Sequence, residues 1–139
     1  MDDLALLIPR ALAAQPAGVV SAYLFGSHVE GRAHRESDID VGILLGRRIY
    51  PTSRDRFDAR LVLGGSIGRA AGSNRIDIVI LNDAPAHLGR RIVTEGQRVF
   101  CADPEADLAF VRDVQLRAAD LEPFLRRMRR LKLDAMARP

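Results

Sequence analysis

The sequence predicts a protein of the α/β (α+β) class, with helices packed against one small sheet. Short β-branched apolar runs recur along the chain, and glycine or aspartate marks their ends. Longer segments with apolar residues at helical spacing separate these runs. Strands that alternate with helical segments indicate a sheet covered by helices and argue against a helical bundle or a sandwich.

Four runs are predicted as strands because they are rich in β-branched and aromatic residues, which suit a pleated, partly buried surface. The first has the sequence VVSAYLF and is flanked by Gly18 and Gly26. The second and third are apolar except for aspartates near their starts, so we expect both to be mostly buried. The four predicted strands are Val19 to Phe25, Ile39 to Leu45, Arg75 to Leu81 and Arg98 to Cys101.

The remaining segments are predicted as helices. We expect Pro9 to kink or divide the first one, because an interior proline removes a hydrogen bond and clashes with the preceding turn. Near the end, Asp120 followed by Pro123 predicts the start of a second C-terminal helix. The helical segments run from Asp3 to Ala14, briefly after Ser27, from Thr52 to Ala71, from Ala84 to Glu95, and over about 104–137. On the third, the predicted buried face comprises Phe57, Leu61, Leu63, Ile67 and Ala70.

Length and composition limit the class of protein. A chain of 139 residues suits one domain, so we expect a single domain over 1–139 that ends in the helical segment 104–137. No apolar run reaches the roughly 20 residues needed to span a bilayer, and we expect a cytoplasmic location without membrane association. The single cysteine, Cys101, excludes an internal disulfide and a thiolate zinc cluster.

The net charge of +3 raises the question of nucleic-acid binding. Most arginines are scattered, and the one dense set lies on a helical flank beside apolar residues. We favour a solvated helix face over a nucleic-acid patch, and nucleic acid is not expected as a direct substrate. The same flank, Arg127 and Arg130 beside Phe124, Leu125 and Met128, is a candidate docking surface for a protein, with core packing as the alternative for its apolar residues.

Three aspartates are the residues that indicate a chemical function. Asp38 and Asp40 lie two residues apart at the start of a strand, so both side chains point to one face. Asp77 occupies a similar place in an otherwise apolar strand, where a lone carboxylate is costly unless it shares a cation. Carboxylates that repel each other are stabilised by a hard cation, and magnesium prefers such oxygen ligands. Upstream, Gly26 and Ser27 form a turn suited to binding a phosphate.

Taken together, Gly26-Ser27, ten intervening residues, Asp38-x-Asp40 and the later Asp77 resemble the motif of the DNA polymerase β superfamily, and within it the minimal nucleotidyltransferases. The resemblance covers about 19–83. It implies a polymerase β-like fold with a small mixed sheet. It also implies that Gly26 and Ser27 bind the triphosphate of ATP, that Asp38, Asp40 and Asp77 bind Mg²⁺, and that Asp77 helps to activate the acceptor.

The small-domain subgroup resembles the antitoxin of a bacterial toxin–antitoxin pair whose toxin is a HEPN ribonuclease. The resemblance implies transfer of AMP from ATP to a protein hydroxyl, on a tyrosine of the cognate HEPN toxin. Two alternatives stay open: an antitoxin that neutralises its partner by binding alone, and a nucleotidyltransferase that acts on a small molecule. The chain departs from the subgroup at His28 and Glu30, where basic residues are common, although His28 and Arg32 lie near enough to the turn to contact phosphate.

Overall fold

The computed structural model describes residues 3–14, 18–31 and 38–137. Arg32 therefore lies outside the described residues. Among those described, no helix is both long and apolar enough to cross a membrane. The elements, in chain order, are α1 (Leu4–Ala13), β1 (Val19–Phe25), α2 (Ser27–Glu30), β2 (Ile39–Leu45), α3 (Ser53–Ala71), β3 (Ile76–Ile80), a 3₁₀ turn (Leu81–Asp83), α4 (Ala86–Glu95), β4 (Gln97–Cys101) and α5 (Pro104–Ala137).

The four strands form one mixed sheet in the order β3-β2-β1-β4. β1 is antiparallel to β2 and to β4, whereas β2 and β3 are parallel. The parallel pair requires a crossover, which α3 provides between β2 and β3. This arrangement confirms the predicted fold class and the mixed sheet.

Helices cover both faces of the sheet. On one face, apolar residues of α1 and α3 pack against the sheet, with Ile8 and Ile67 almost fully buried. On the other face, Ile92 of α4 and Leu81 pack against Tyr23 and Leu44 of the sheet. The first half of α5 packs on α4 through Val114 and Ala118. Burial of apolar surface on both faces is the main stabilising contribution to this arrangement.

A buried hydrogen-bond network joins α5 to the sheet. Asp107 is 2% exposed, and its carboxylate accepts hydrogen bonds from Ser21 (2.6 Å), Tyr23 (2.9 Å) and Arg98 (2.9 Å). Burial, and then the hydrogen bond to Asp107, raises the pKa of the Tyr23 phenol. A buried carboxylate is tolerated when its oxygens accept such bonds, and here they fix the start of α5 against β1 and β4.

Pro9, which was expected to kink or divide its helix, does not divide it, and the second helix predicted near Pro123 does not form. α1 continues through Pro9, since burial of Ile8, Ala11 and Leu12 outweighs the loss of one backbone hydrogen bond. α5 likewise runs unbroken through Pro123, so no second helix starts near Asp120. Pro123 lies on the exposed side of the helix, where water can solvate the carbonyl that its ring leaves without a partner.

The predicted buried face of α3 was correct at two of its five positions. Leu63 and Ile67 are buried, whereas Ala70 is exposed and Phe57 and Leu61 are 53% and 62% exposed. The buried positions also include Arg56, whose guanidinium donates two hydrogen bonds of 2.9 Å to Asp83 and one to the carbonyl of Tyr50. A paired arginine therefore occupies a position that hydrophobicity alone assigned to the exposed face.

Candidate active site

Two of the three aspartates lie on adjacent strands. Asp40 of β2 is directly opposite Asp77 of the parallel strand β3. Side chains at opposite positions of neighbouring strands project from the same face of a sheet. Asp38 immediately precedes β2 and is separated from Asp40 by the buried Ile39. The strand period therefore directs Asp38 and Asp40 to the face opposite Ile39, which is the face that carries Asp77.

A glycine turn brings β1 close to these carboxylates. Phe25, the last residue of β1, is opposite Asp40, and Gly26 follows with a φ of 79°. A Cβ at Gly26 would collide with the Asp40 carboxylate, so the turn needs glycine both for its backbone conformation and for its close approach. Ser27 follows this turn directly and begins α2.

The surroundings of Asp40 disfavour the ionised form of its carboxyl group. Partial burial, then the negative charges of Asp77 and Asp38, raises the pKa of the Asp40 carboxyl, while His28 acts in the opposite direction. The Nε2 atom of His28 is buried and has no hydrogen-bond partner within the described residues. The site therefore contains carboxylates whose mutual repulsion a cation would reduce. It also contains an imidazole nitrogen without a hydrogen-bond partner among the described residues.

The carboxylates suit magnesium in their chemistry, but among the described residues they do not form a closed set of metal ligands. Within the described residues, no three His, Cys, Asp or Glu side chains already converge as metal ligands. Asp77 is exposed and lies 3.8 Å from the guanidinium of Arg60, measured between its Oδ1 and Arg60 Nη2. A positive side chain thus contacts the third carboxylate in this state. Magnesium commonly retains waters and completes its shell with substrate phosphates, so a partly assembled protein site is compatible with it.

A groove begins at Asp77 and follows the outer side of β3. Its volume is about 830 Å³. Residues of α3 line one wall, and the segment that leads into α4 lines the other. The lining residues are Ser53, Arg54, Phe57, Asp58, Arg60, Asp77, Ile78, Val79, Ile80, Asp83, Ala84, Pro85 and Leu88.

Sequence reasoning missed Arg60 and the groove. Arg60 is one of several arginines on α3, and nothing in the spacing of residues relates it to Asp77, which is distant along the chain. Phe57 was the residue that could have indicated the groove, because it is a large aromatic residue and it lines the groove. Its spacing fitted a helical face, so it was assigned to the core.

Comparison with known proteins identifies the protein family to which the chain belongs. Residues 10–105 match the family described as Polymerase beta, Nucleotidyltransferase. The match covers more than half of the chain, which therefore belongs to the nucleotidyltransferase family that its motif and fold indicated.

Two similar proteins show which members of this family the chain resembles. The protein adenylyltransferase MntA of Shewanella oneidensis is 31% identical over 96 residues, which are 68% of this chain; the chain spans 63% of the length of that relative. A crystal structure of a toxin–antitoxin with AMP-PNP aligns with a TM-score of 0.69 at 25% identity, over 96% of this chain and 98% of that one.

A third comparison concerns the fold alone. The complex of a tri-AMPylated Shewanella oneidensis HEPN toxin with its MNT antitoxin aligns with a TM-score of 0.62 at 19% identity, covering 98% of this chain and 100% of that one. Both structural alignments include α5, so the long C-terminal helix belongs to the shared architecture.

Proposed function

We propose that this chain is a Mg²⁺-dependent protein adenylyltransferase. It transfers AMP from ATP to a tyrosine hydroxyl of a cognate HEPN-type ribonuclease and thereby acts as an antitoxin. The observation that carries the proposal is the position of Asp40 directly opposite Asp77, with Asp38 beside them and the Gly26 turn against the Asp40 carboxylate. The similarity to MntA and to a toxin–antitoxin with a bound ATP analogue supports this acceptor and this nucleotide.

The proposed roles follow from the position of each group. Gly26 and Ser27 would hold the β- and γ-phosphates, and Asp38, Asp40 and Asp77 would hold the metal. Asp77 is exposed and lines the groove, so it also accepts the proton of the acceptor hydroxyl. Bound magnesium would neutralise phosphate charge and lower the pKa of that hydroxyl.

The transfer is a single displacement. The acceptor oxygen forms a bond to the α-phosphorus of ATP, the bond from that phosphorus to the bridging oxygen breaks, and pyrophosphate leaves. Because the acceptor oxygen attacks directly, no covalent intermediate with this chain is required. A cation bound at Asp77 would compete with the contact from Arg60.

The distal half of α5 supports a protein as the acceptor. Beyond Ala118 no described residue of this helix is buried. Phe124 is 55% and Met128 is 49% exposed, and arginines flank them. An apolar helix surface with a charged rim is typical of a protein interface, whereas a small-molecule acceptor would make no use of it.

The test is whether inactivation of the toxin persists. The chain, its HEPN partner, ATP and Mg²⁺ are incubated together, and the partner is then separated and assayed for ribonuclease activity and intact mass. We expect the added mass of AMP and lasting inactivity. Neutralisation by binding alone predicts unchanged mass, recovery of activity after separation, and full inhibition by Asp77→Asn without nucleotide, because a reversible complex obeys mass action.

A further inference from the structure

A groove runs along the outer edge of β3 and ends at Asp77 of the candidate site. β3 is the terminal strand of the sheet, and the groove is lined by four consecutive residues of it, Asp77 to Ile80. Consecutive side chains of a strand point to opposite faces. A groove that meets four in a row therefore follows the edge of the strand and not one of its faces.

The backbone of this edge offers hydrogen-bonding groups. Ile39 is opposite Ile76, and its N–H donates to the carbonyl of Arg75 at 2.8 Å. In a parallel ladder, alternate residues turn their peptide groups toward the neighbouring strand, so Asp77 and Val79 pair with β2. The peptide N–H and C=O of Ile78 consequently point away from β2, toward the groove. Ile78 as a whole is only 4% exposed, so a strand that pairs with these groups must displace side chains that line the groove.

The walls of the groove combine apolar and charged side chains. Phe57 of α3 is 53% exposed in a helix whose opposite side is in the core, and Leu88 and Pro85 line the opposite wall. Arg54 and Arg60 supply positive charge on the α3 side. A large aromatic surface that the fold leaves in contact with water, beside the terminal strand of the sheet, is suited to an extended peptide with an aromatic side chain.

We propose that the groove binds the acceptor segment of the partner as an added, extended strand along β3, with the reactive hydroxyl at Asp77. This inference rests on the proposed function, because it names the form in which a protein acceptor reaches that site. Main-chain hydrogen bonds to the edge, including those of Ile78, provide affinity and set the register. Phe57 packs against the acceptor side chain, and the register brings its hydroxyl to Asp77.

The first experiment compares two substitutions on the same helix. Phe57→Glu places a charge in the groove, whereas Leu61→Glu changes a residue that is 62% exposed and does not line it. Initial rates of AMP transfer are measured against the concentration of the HEPN partner, and the affinity for ATP with Mg²⁺ is measured by calorimetry. We expect Phe57→Glu to lower kcat/KM for the partner roughly tenfold or more through KM, with unchanged nucleotide affinity and a control within about twofold.

Equal rates for the two variants would overturn the proposal. So would a loss of nucleotide affinity in Phe57→Glu with an unchanged KM for the partner, because the groove would then hold the nucleoside of ATP.

The second experiment does not depend on catalysis. Backbone amide exchange is followed by NMR in the chain alone, with ATP and Mg²⁺, and with the HEPN partner in the absence of nucleotide. We expect the partner alone to slow exchange of the Ile78 amide. Absence of this protection in a formed complex would reject strand addition. If the amide is protected but no AMP is transferred, the proposed reaction fails and the docking mode stands.

Discussion

The aspartate cluster places Asp40 in an unfavourable environment before any ligand binds. Its carboxyl is partly buried and close to the negative charges of Asp77 and Asp38, and these raise its pKa. A raised pKa in the folded state means that the ionised form is disfavoured relative to the unfolded chain. The site therefore reduces the free energy of unfolding at neutral pH, and cation binding relieves that cost.

We expect Asp40→Asn to abolish transfer while leaving the ligand-free protein at least as stable as wild type. The loss of a metal ligand should lower the transfer rate by roughly a hundredfold or more. The gain in stability is expected because the pKa of Asp40 is higher in the folded protein than in the unfolded chain. The penalty of the ionised carboxyl is absent below its ordinary pKa of 3.8, grows as pH rises through the higher folded-state pKa, and is complete above it.

Urea denaturation at several pH values measures this effect. The stability of Asp40→Asn relative to wild type should increase from acidic to neutral pH. Asp58→Asn, on the exposed side of α3, is the control and should show no such trend. A variant that is less stable than wild type at neutral pH would contradict the electrostatic account, and normal transfer by Asp40→Asn would contradict the catalytic one.

At the scale of single residues, the sequence predicted positions that depend on strand period and missed those that depend on tertiary packing. The alternation of side chains was enough to place Asp38 and Asp40 on one face. The register that sets Asp40 opposite Asp77 was expected only through the family motif. The contacts of Arg60 with Asp77 and of Arg56 with Asp83 require the docking of α3 on β3, which no local pattern encodes.

At the scale of elements, the bounds of β1 and β2 agree with the sequence because both are buried runs with clear ends. The helices were less predictable. Pro9 and Pro123 did not divide their helices, since packing in α1 and solvation in α5 compensate for one lost hydrogen bond each. α5 consists of a proximal half fixed by Asp107 and Val114, and a distal half that is exposed.

The distal half of α5 should recognise the partner partly through charge. Arg126 and Arg129 form ion pairs with Glu122, whereas Arg127 and Arg130 form no ion pair within the described residues and are available to an acidic surface. We expect the double substitution Arg127→Glu, Arg130→Glu to weaken association with the HEPN partner at low salt and to reduce its salt dependence, because exposed charge pairs are screened.

Affinity is measured at two ionic strengths, with Arg90→Glu, Arg112→Glu as the matched control. Both control residues are exposed and lie outside the distal half of α5, and the change in net charge is the same. Circular dichroism should show both variants folded. If the control weakens binding equally, overall charge and not this helix accounts for the effect, and an unchanged affinity in the test variant removes the distal half from the interface.

For the molecule as a whole, the sheet brings together two parts of one site. The turn after β1 supplies Gly26 and Ser27, which we propose to bind phosphate, and the starts of β2 and β3 supply the carboxylates. The core on both sheet faces holds these segments in register. Because Asp77 is paired with Arg60 and magnesium usually completes its shell with substrate phosphates, we expect cation and triphosphate to bind together.

We therefore expect ATP with Mg²⁺ to raise the melting temperature more than the separate effects of ATP and Mg²⁺ combined. A ligand that binds only the folded state at a hundredfold excess over its Kd stabilises by about 2.7 kcal/mol, which corresponds to roughly 8 °C for a domain of this size. Scanning fluorimetry with ATP, Mg²⁺, both, and both with excess chelator measures the coupling. Asp38→Asn, Asp40→Asn should lose the shift while remaining folded, since the carboxylates supply the cation site. Equal stabilisation by ATP in chelator would show that the triphosphate binds without the carboxylates, and the assignment of Asp38, Asp40 and Asp77 as metal ligands would then be wrong.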